Sequence, residues 1–174
     1  MLRSPLVLPI LWGAMFATPA SADPFYNAAL CKPAYSSDSA TALYEAAEKL
    51  AKPDTSMLGA DVYKLPQEFG QDGFKTREVI FAGTSVGVLI EGLQADALAN
   101  RYQLAKKGST LLGTATKDYS RALPRDQQPQ PELGTVSIIA RESPSLPGKT
   151  LLACEFVLKA DQEALDRYEE SRTP

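Results

Sequence analysis

The sequence has no histidine and only two cysteines, Cys31 and Cys154. Without imidazole a serine hydrolase triad has no base, and zinc sites built on His and Cys lack their ligands. The cysteines lie too far apart in sequence for a CxxC redox pair. Phosphate loops are missing too: Lys106-Lys107-Gly108-Ser109-Thr110 places GST after lysines, without the order G-x-x-x-x-G-K-[ST]. Neither Asp61 nor Asp72 opens the alternating acidic series of a calcium loop. No cofactor and no metal are therefore expected.

Concentrated positive charge is also lacking. Lys and Arg number 18 against 21 Asp and Glu, with both signs scattered. Nucleic acid and anionic membrane surfaces need clustered Lys and Arg, so neither is expected as a partner. The densest basic cluster, Arg101 to Lys107, reads as a helix end. Long apolar runs are confined to the start of the chain, so no membrane span is expected beyond it.

That start reads as a secretion signal over residues 1–22. Arg3 supplies a positive charge, Leu6 to Phe16 is mostly apolar, and Ala20-Ser21-Ala22 offers small residues for cleavage before Asp23. The apolar run is short of the roughly 20 residues of a spanning helix and is interrupted by Pro5 and Pro9. Leu30 stands where a small residue should precede a lipid-modified Cys31. A soluble exported protein, periplasmic or secreted, is the expectation. Losing Arg3 and no acidic residue takes the net charge from −3 to −4.

Residues 23–174 have the size of one domain. In an oxidising compartment the two cysteines are expected to form a disulfide between the start of the domain and a strand near its end. A loop that long stabilises by up to about 4 to 5 kcal/mol in the chain-entropy model.

Phe74 to Gly92 holds two β-rich runs folded about Gly83-Thr84-Ser85, with apolar residues on both faces. That pattern predicts a hairpin at the centre of a sheet. Asp23 to Tyr35 reads as an extended arm, and Ala40 to Ala51 as a helix capped by Ser37 or Asp38. Asp61 to Leu65 reads as a short strand ended by Pro66, and Gln67 to Gly73 as a loop. A second helix is predicted over Leu93 to Lys107, stopping at Gly108, followed by a weaker strand over Ser109 to Thr116. Lys117 to Gly134, with three prolines and three glutamines, reads as a long irregular loop. Thr135 to Arg141 and Thr150 to Leu158 form a second strand pair around a turn-rich ESPSLPGK, and Asp161 begins a last helix.

The order predicts an α+β fold: a mostly antiparallel sheet of about five or six strands with two or three helices packed on one side. Residues 74–107 and 135–172 repeat a strand-pair-then-helix pattern and hint at duplication.

Gly83-Thr84-Ser85-Val86-Gly87 matches G-x-S-x-G, the nucleophile elbow of α/β-hydrolases. That elbow needs a helix after the serine and a histidine base, whereas Val86 to Ile90 reads as a strand. Glu78, Glu91 and Glu155 are the strand carboxylates that a glycoside-cleaving pair would draw on. These absences move the expectation from catalysis to binding. The leading reading is a non-enzymatic exported protein that binds a protein partner, inhibitor-like or immunity-like, such as a cell-wall-degrading enzyme or toxin. Ser109, Tyr119, Arg121 and Arg125 are its candidate contact residues. The alternatives are a carrier of a small apolar ligand and a carboxylate-based envelope hydrolase.

Overall fold

The computed structural model describes residues 23–57, 59–107 and 117–172. In chain order the elements are α1 (Pro24–Ala29), α2 (Ser37–Glu48), β1 (Pro53–Asp54), β2 (Ala60–Gln71), β3 (Phe74–Ala82), β4 (Ser85–Glu91), α3 (Ala95–Tyr102), β5 (Ala105–Lys106), β6 (Lys117–Ala122), β7 (Gly134–Glu142), β8 (Lys149–Leu158) and α4 (Lys159–Arg172). A short 3-10 turn, Arg125–Gln127, lies between β6 and β7. The signal-peptide reading of residues 1–22 and the strand reading of 109–116 lie outside the described residues.

The strands form one antiparallel sheet in the order β1-β2-β3-β4-β8-β7-β6-β5. The α+β class holds, but among the described residues the sheet has eight strands, not five or six, and there are four helices. The order is palindromic about the β4–β8 seam, each half holding four strands followed by a helix. This is the arrangement a repeated strand-pair-and-helix pattern would produce. The halves differ in what covers them: α3 folds back over β6, β7 and β8, while α1 and α2 cover the first half.

The hairpin at Gly83-Thr84 forms as its sequence requires. Ala82 pairs with Ser85, and Gly83 has φ +54°, a left-handed value that costs glycine little. β4 lies between β3 and β8, which is why Val86, Val88, Leu89 and Ile90 are all buried. Gly87 is needed at the seam, since a Cβ there would come 2.7 Å from both the Ala153 Cβ and the Leu152 carbonyl oxygen.

Several segments differ from the sequence reading. The expected extended arm is the helix α1, with Pro24 at its start and the Asp23 carboxylate accepting the Phe25 and Tyr26 N–H groups at 2.9 and 3.1 Å. Six residues are too few to show a helical period, so the cap and the proline were its only markers. β2 runs through Pro66 because β1 pairs only with Val62 and Tyr63, and a register shift falls between Lys64 and Phe69. A proline on an unpaired, bulged edge breaks no ladder. α3 stops at Gln103, in the left-handed conformation, rather than at Gly108, and Lys106 belongs to β5.

The core on the helix-covered face unites Tyr26 of α1, Leu98 of α3 and Val88, Ile138, Leu152 and Cys154 of the central strands. Each fully buried aliphatic side chain contributes roughly 1.5 to 3 kcal/mol. α2 closes a neighbouring cluster of Phe25, Ala47, Tyr63 and Val79, and its cap is Ser36 rather than Ser37 or Asp38. On the opposite face Leu146 packs on Ile80 and Leu89. α4 touches chiefly β7 and β8 and is largely exposed.

The Cys31–Cys154 disulfide forms, closing a separation of 123 residues and fastening the end of α1 to the centre of the sheet. We expect replacing both cysteines by alanine to lower the unfolding free energy by up to about 5 kcal/mol, the chain-entropy value for so long a loop. Paired urea-unfolding curves of the oxidised protein and the double variant check this, a difference under about 1 kcal/mol counting against it.

Candidate functional site

An open cleft of about 570 Å³ lies at the β3–β4 turn end of the sheet. One wall is the first two turns of α2, presenting Ser37, Ala40, Thr41 and Tyr44. The other is the connector with Thr55, Met57 and Gly59. Strand ends form the floor, with Ala60 and Asp61 from β2, Phe81 and Ala82 from β3, and Ser85 from β4. Its size falls within the range typical of ligand sites.

Three rings set the shape of the floor. Tyr44 meets Phe81 edge-on at 5.2 Å and Tyr63 at 5.6 Å, and Tyr63 meets Phe81 at 5.8 Å. Each such contact adds about 0.5 to 1.5 kcal/mol beyond burial and fixes ring orientation. Helical periodicity marks Tyr44 as a packing residue, and its ring does pack. Its hydroxyl also donates to Asp61 Oδ2 at 3.0 Å, a bond that sequence alone did not reveal. Beneath lies Tyr63, fully buried, with a hydroxyl that meets no hydrogen-bond partner at bonding geometry among the described residues. Burial, with the neighbouring Tyr44 hydroxyl next in effect, pushes its ionisation far up, so it stays neutral.

Ser85 lines this cleft, but not as a nucleophile elbow. It is the first residue of a strand, not of a helix, and its hydroxyl donates to the Ala82 carbonyl at 2.7 Å. Two of the strand carboxylates, Glu78 and Glu91, meet at one lysine, and Glu155 lies apart from them. Glu78 pairs with Lys149 at 2.5 Å and Glu91 lies opposite Lys149, whereas Glu155 faces Ser85 at the other end of β4.

The candidate contact residues lie elsewhere. Ser109 is outside the described residues. Tyr119 and Arg121 are not in a loop: they belong to β6, three strands from β4, and their polar atoms hold the two ends of α3. The Tyr119 hydroxyl donates to Asp96 Oδ1 at 2.5 Å, and Arg121 Nε donates to the Tyr102 carbonyl at 3.1 Å. Arg125 is exposed on the 3-10 turn, with Glu132 as a distant ion pair at 4.0 Å. After Ala122 the chain is pinned by Gln128, which bonds to Leu123 and, twice, to the Val136 backbone.

β6 escaped the sequence reading because KDYSRA carries no β-branched residue. Its signal was charge complementarity, since Lys117 opposes Glu142 and Asp118 opposes Arg141. Buried Glu142, also unnoticed in the sequence, accepts the Ala95 N–H at 2.8 Å and caps α3, whose own Gln94 provides no side-chain cap. Compared with protein-family models, curated proteins and solved structures, the chain matches none.

Lys117, then Tyr119, holds the Asp96 carboxyl below its ordinary value of 3.8. The pairing therefore stabilises the fold above that value, and the stabilisation is lost as pH falls through the lowered folded value. Asp96→Asn should lower the urea midpoint at neutral pH, with the gap closing below about pH 4; a gap constant to strongly acid pH would contradict it. Removing an unpaired hydroxyl relieves a buried polar group, so Tyr63→Phe should leave the unfolding free energy unchanged or raise it by up to about 1 kcal/mol. A loss above about 1 kcal/mol in the same urea titration would show that the hydroxyl is bonded.

Proposed function

We propose that this is an exported, non-enzymatic binding protein whose partner is another protein, held in the manner of an inhibitor or an immunity protein against a cell-wall-degrading enzyme or toxin. The cleft receives a segment of that partner. The observation that carries this reading is the cleft's construction: a floor of mutually fixed rings beneath a rim of hydroxyls, set on a helix and strand ends. Such a site orders little on binding, so less of the interaction energy is lost to immobilisation. The disulfide is compatible with export.

The same lining bears on the alternatives. Ser37, Thr41 and Thr55 give the cleft a polar rim and Asp61 a charged floor, which suits a peptide segment better than a small apolar ligand. Between helices and sheet, where an apolar carrier would hold its cargo, Tyr26, Leu98 and Leu152 fill the space. A two-carboxylate hydrolase draws no support from the cleft, because Asp61 is the one acidic residue among its lining.

Photoreactive side chains placed at Thr41, at Ser85 and, as a control, at Gln162 on α4 test the reading in the producing cells. Adducts to one and the same envelope protein are expected from the two cleft positions and not from Gln162, suppressed by excess unlabelled protein. Thr41→Arg, a bulky change on an exposed rim residue, should abolish the Ser85 adduct. Equal adducts from Gln162, or none from the cleft, would overturn the proposal.

A further inference from the structure

Resting on the reading of the cleft as the binding site, we propose that it recognises a cationic amine, the ammonium group of a lysine side chain on the partner, seated against Asp61 beside Tyr44 and Phe81. Asp61 lines the cleft and is partly buried. Its Oδ2 accepts the Tyr44 hydroxyl, and no Lys or Arg stands within ion-pair distance of it among the described residues. A carboxylate accepts about four hydrogen bonds, so most of this capacity is unused by the chain. Glu78 and Asp72, by contrast, are paired, with Lys149 and Arg101.

Among the described residues no basic side chain lines the cleft, so Asp61 sets the sign of its charge. An occupant that excludes water must compensate that carboxylate. A neutral segment would leave it desolvated and unpaired, and an anion would add repulsion. An ammonium supplies the missing charge and three donors, for which the lining offers the Asp61 carboxylate together with threonine hydroxyls. Tyr44 and Phe81 also line the cleft, and an aromatic ring attracts a cation placed over its face. The positive end of α2 at the rim is offset by Asp38 in its first turn. Tyr44 thus has two tasks, packing the floor and aiming the carboxylate.

The test is a heteronuclear NMR titration of the purified protein with Nα-acetyl-lysine methylamide, its neutral analogue Nα-acetyl-norleucine methylamide, which keeps the four-carbon stem and lacks the ammonium, and methylammonium. We expect lysine amide to produce saturable shifts at the Tyr44, Asp61, Ala82 and Ser85 amides, at least about tenfold weaker for norleucine amide, the loss of roughly one charge pair. Asp61→Asn should abolish the lysine response, and Thr41→Lys should do the same by placing a cation on an exposed rim position. The second variant keeps the test decisive if the first fails to fold. Methylammonium binding as well as lysine amide would support the cation site and assign it to free amines; much weaker methylammonium binding assigns it to the lysine side chain. Norleucine amide matching lysine amide, or an unaltered response in Asp61→Asn, overturns the proposal. Photo-adducts at the cleft without any lysine response would overturn this inference alone and leave the protein-partner reading standing.

Discussion

The antiparallel pairing of β4 with β8 is the constraint from which the rest follows. Seven residue pairs, from Ser85–Glu155 to Glu91–Lys149, join the two halves of the chain, with Val88 opposite Leu152 at their centre. Strands buried on both faces need covering elements, and the helix-side cover is α1, whose Phe25, Tyr26, Ala28 and Ala29 are all buried. The disulfide from Cys31 to Cys154 ties that plug to the middle of β8. Gly87 opposite Ala153 lets the two backbones approach where any side chain would collide. The seam, the plug and the covalent tie are thus one unit, and the outer strands are added to it pair by pair.

What the seam positions differs between the two halves. On the β8 side, α3 is held at its start by Glu142, Lys117 and Tyr119, and at its end by Arg121 and by the Asp72 contacts to Arg101 and Tyr102. The charged residues there are largely engaged with one another. On the β3 side, α2 leans over β2 and leaves a gap beyond the hairpin turn, where rings and hydroxyls meet a carboxylate with no basic partner among the described residues. That contrast in electrostatic satisfaction, more than the size of the gap, directs attention to Asp61. Charges inside folded proteins are ordinarily compensated, and an uncompensated one in a concavity is a place for a ligand of opposite sign.

Particular residues show where local pattern sufficed. Val79, Ile80 and Phe81 before Gly83-Thr84, and Val86 to Ile90 after it, could form only a buried hairpin, since apolar side chains on both faces of a pleat need cover on both. Cys154, in phase with Leu152 and Phe156, announced which face the N-terminal segment would cross. By contrast, Pro66 was a misleading stop, because whether a proline breaks a strand depends on having a neighbour to hydrogen-bond, and β2 there has none on its outer side. Lys117 to Ala122 looked like loop because its strand character rests on Arg141 and Glu142, residues distant in sequence.

The sequence by itself determined the class of fold, the central hairpin, the disulfide partners and the absence of any imidazole, because each is set by residue type or by periodicity within a few neighbours. Tertiary structure alone decided that Tyr119 and Arg121 hold α3 rather than stand in a loop, and that Tyr44 and Asp61 share a hydrogen bond at the floor of a cleft. Those outcomes depend on side chains brought together by strand order and helix placement, and whether a polar group is satisfied is a property of its surroundings in space, which no local run of residues encodes.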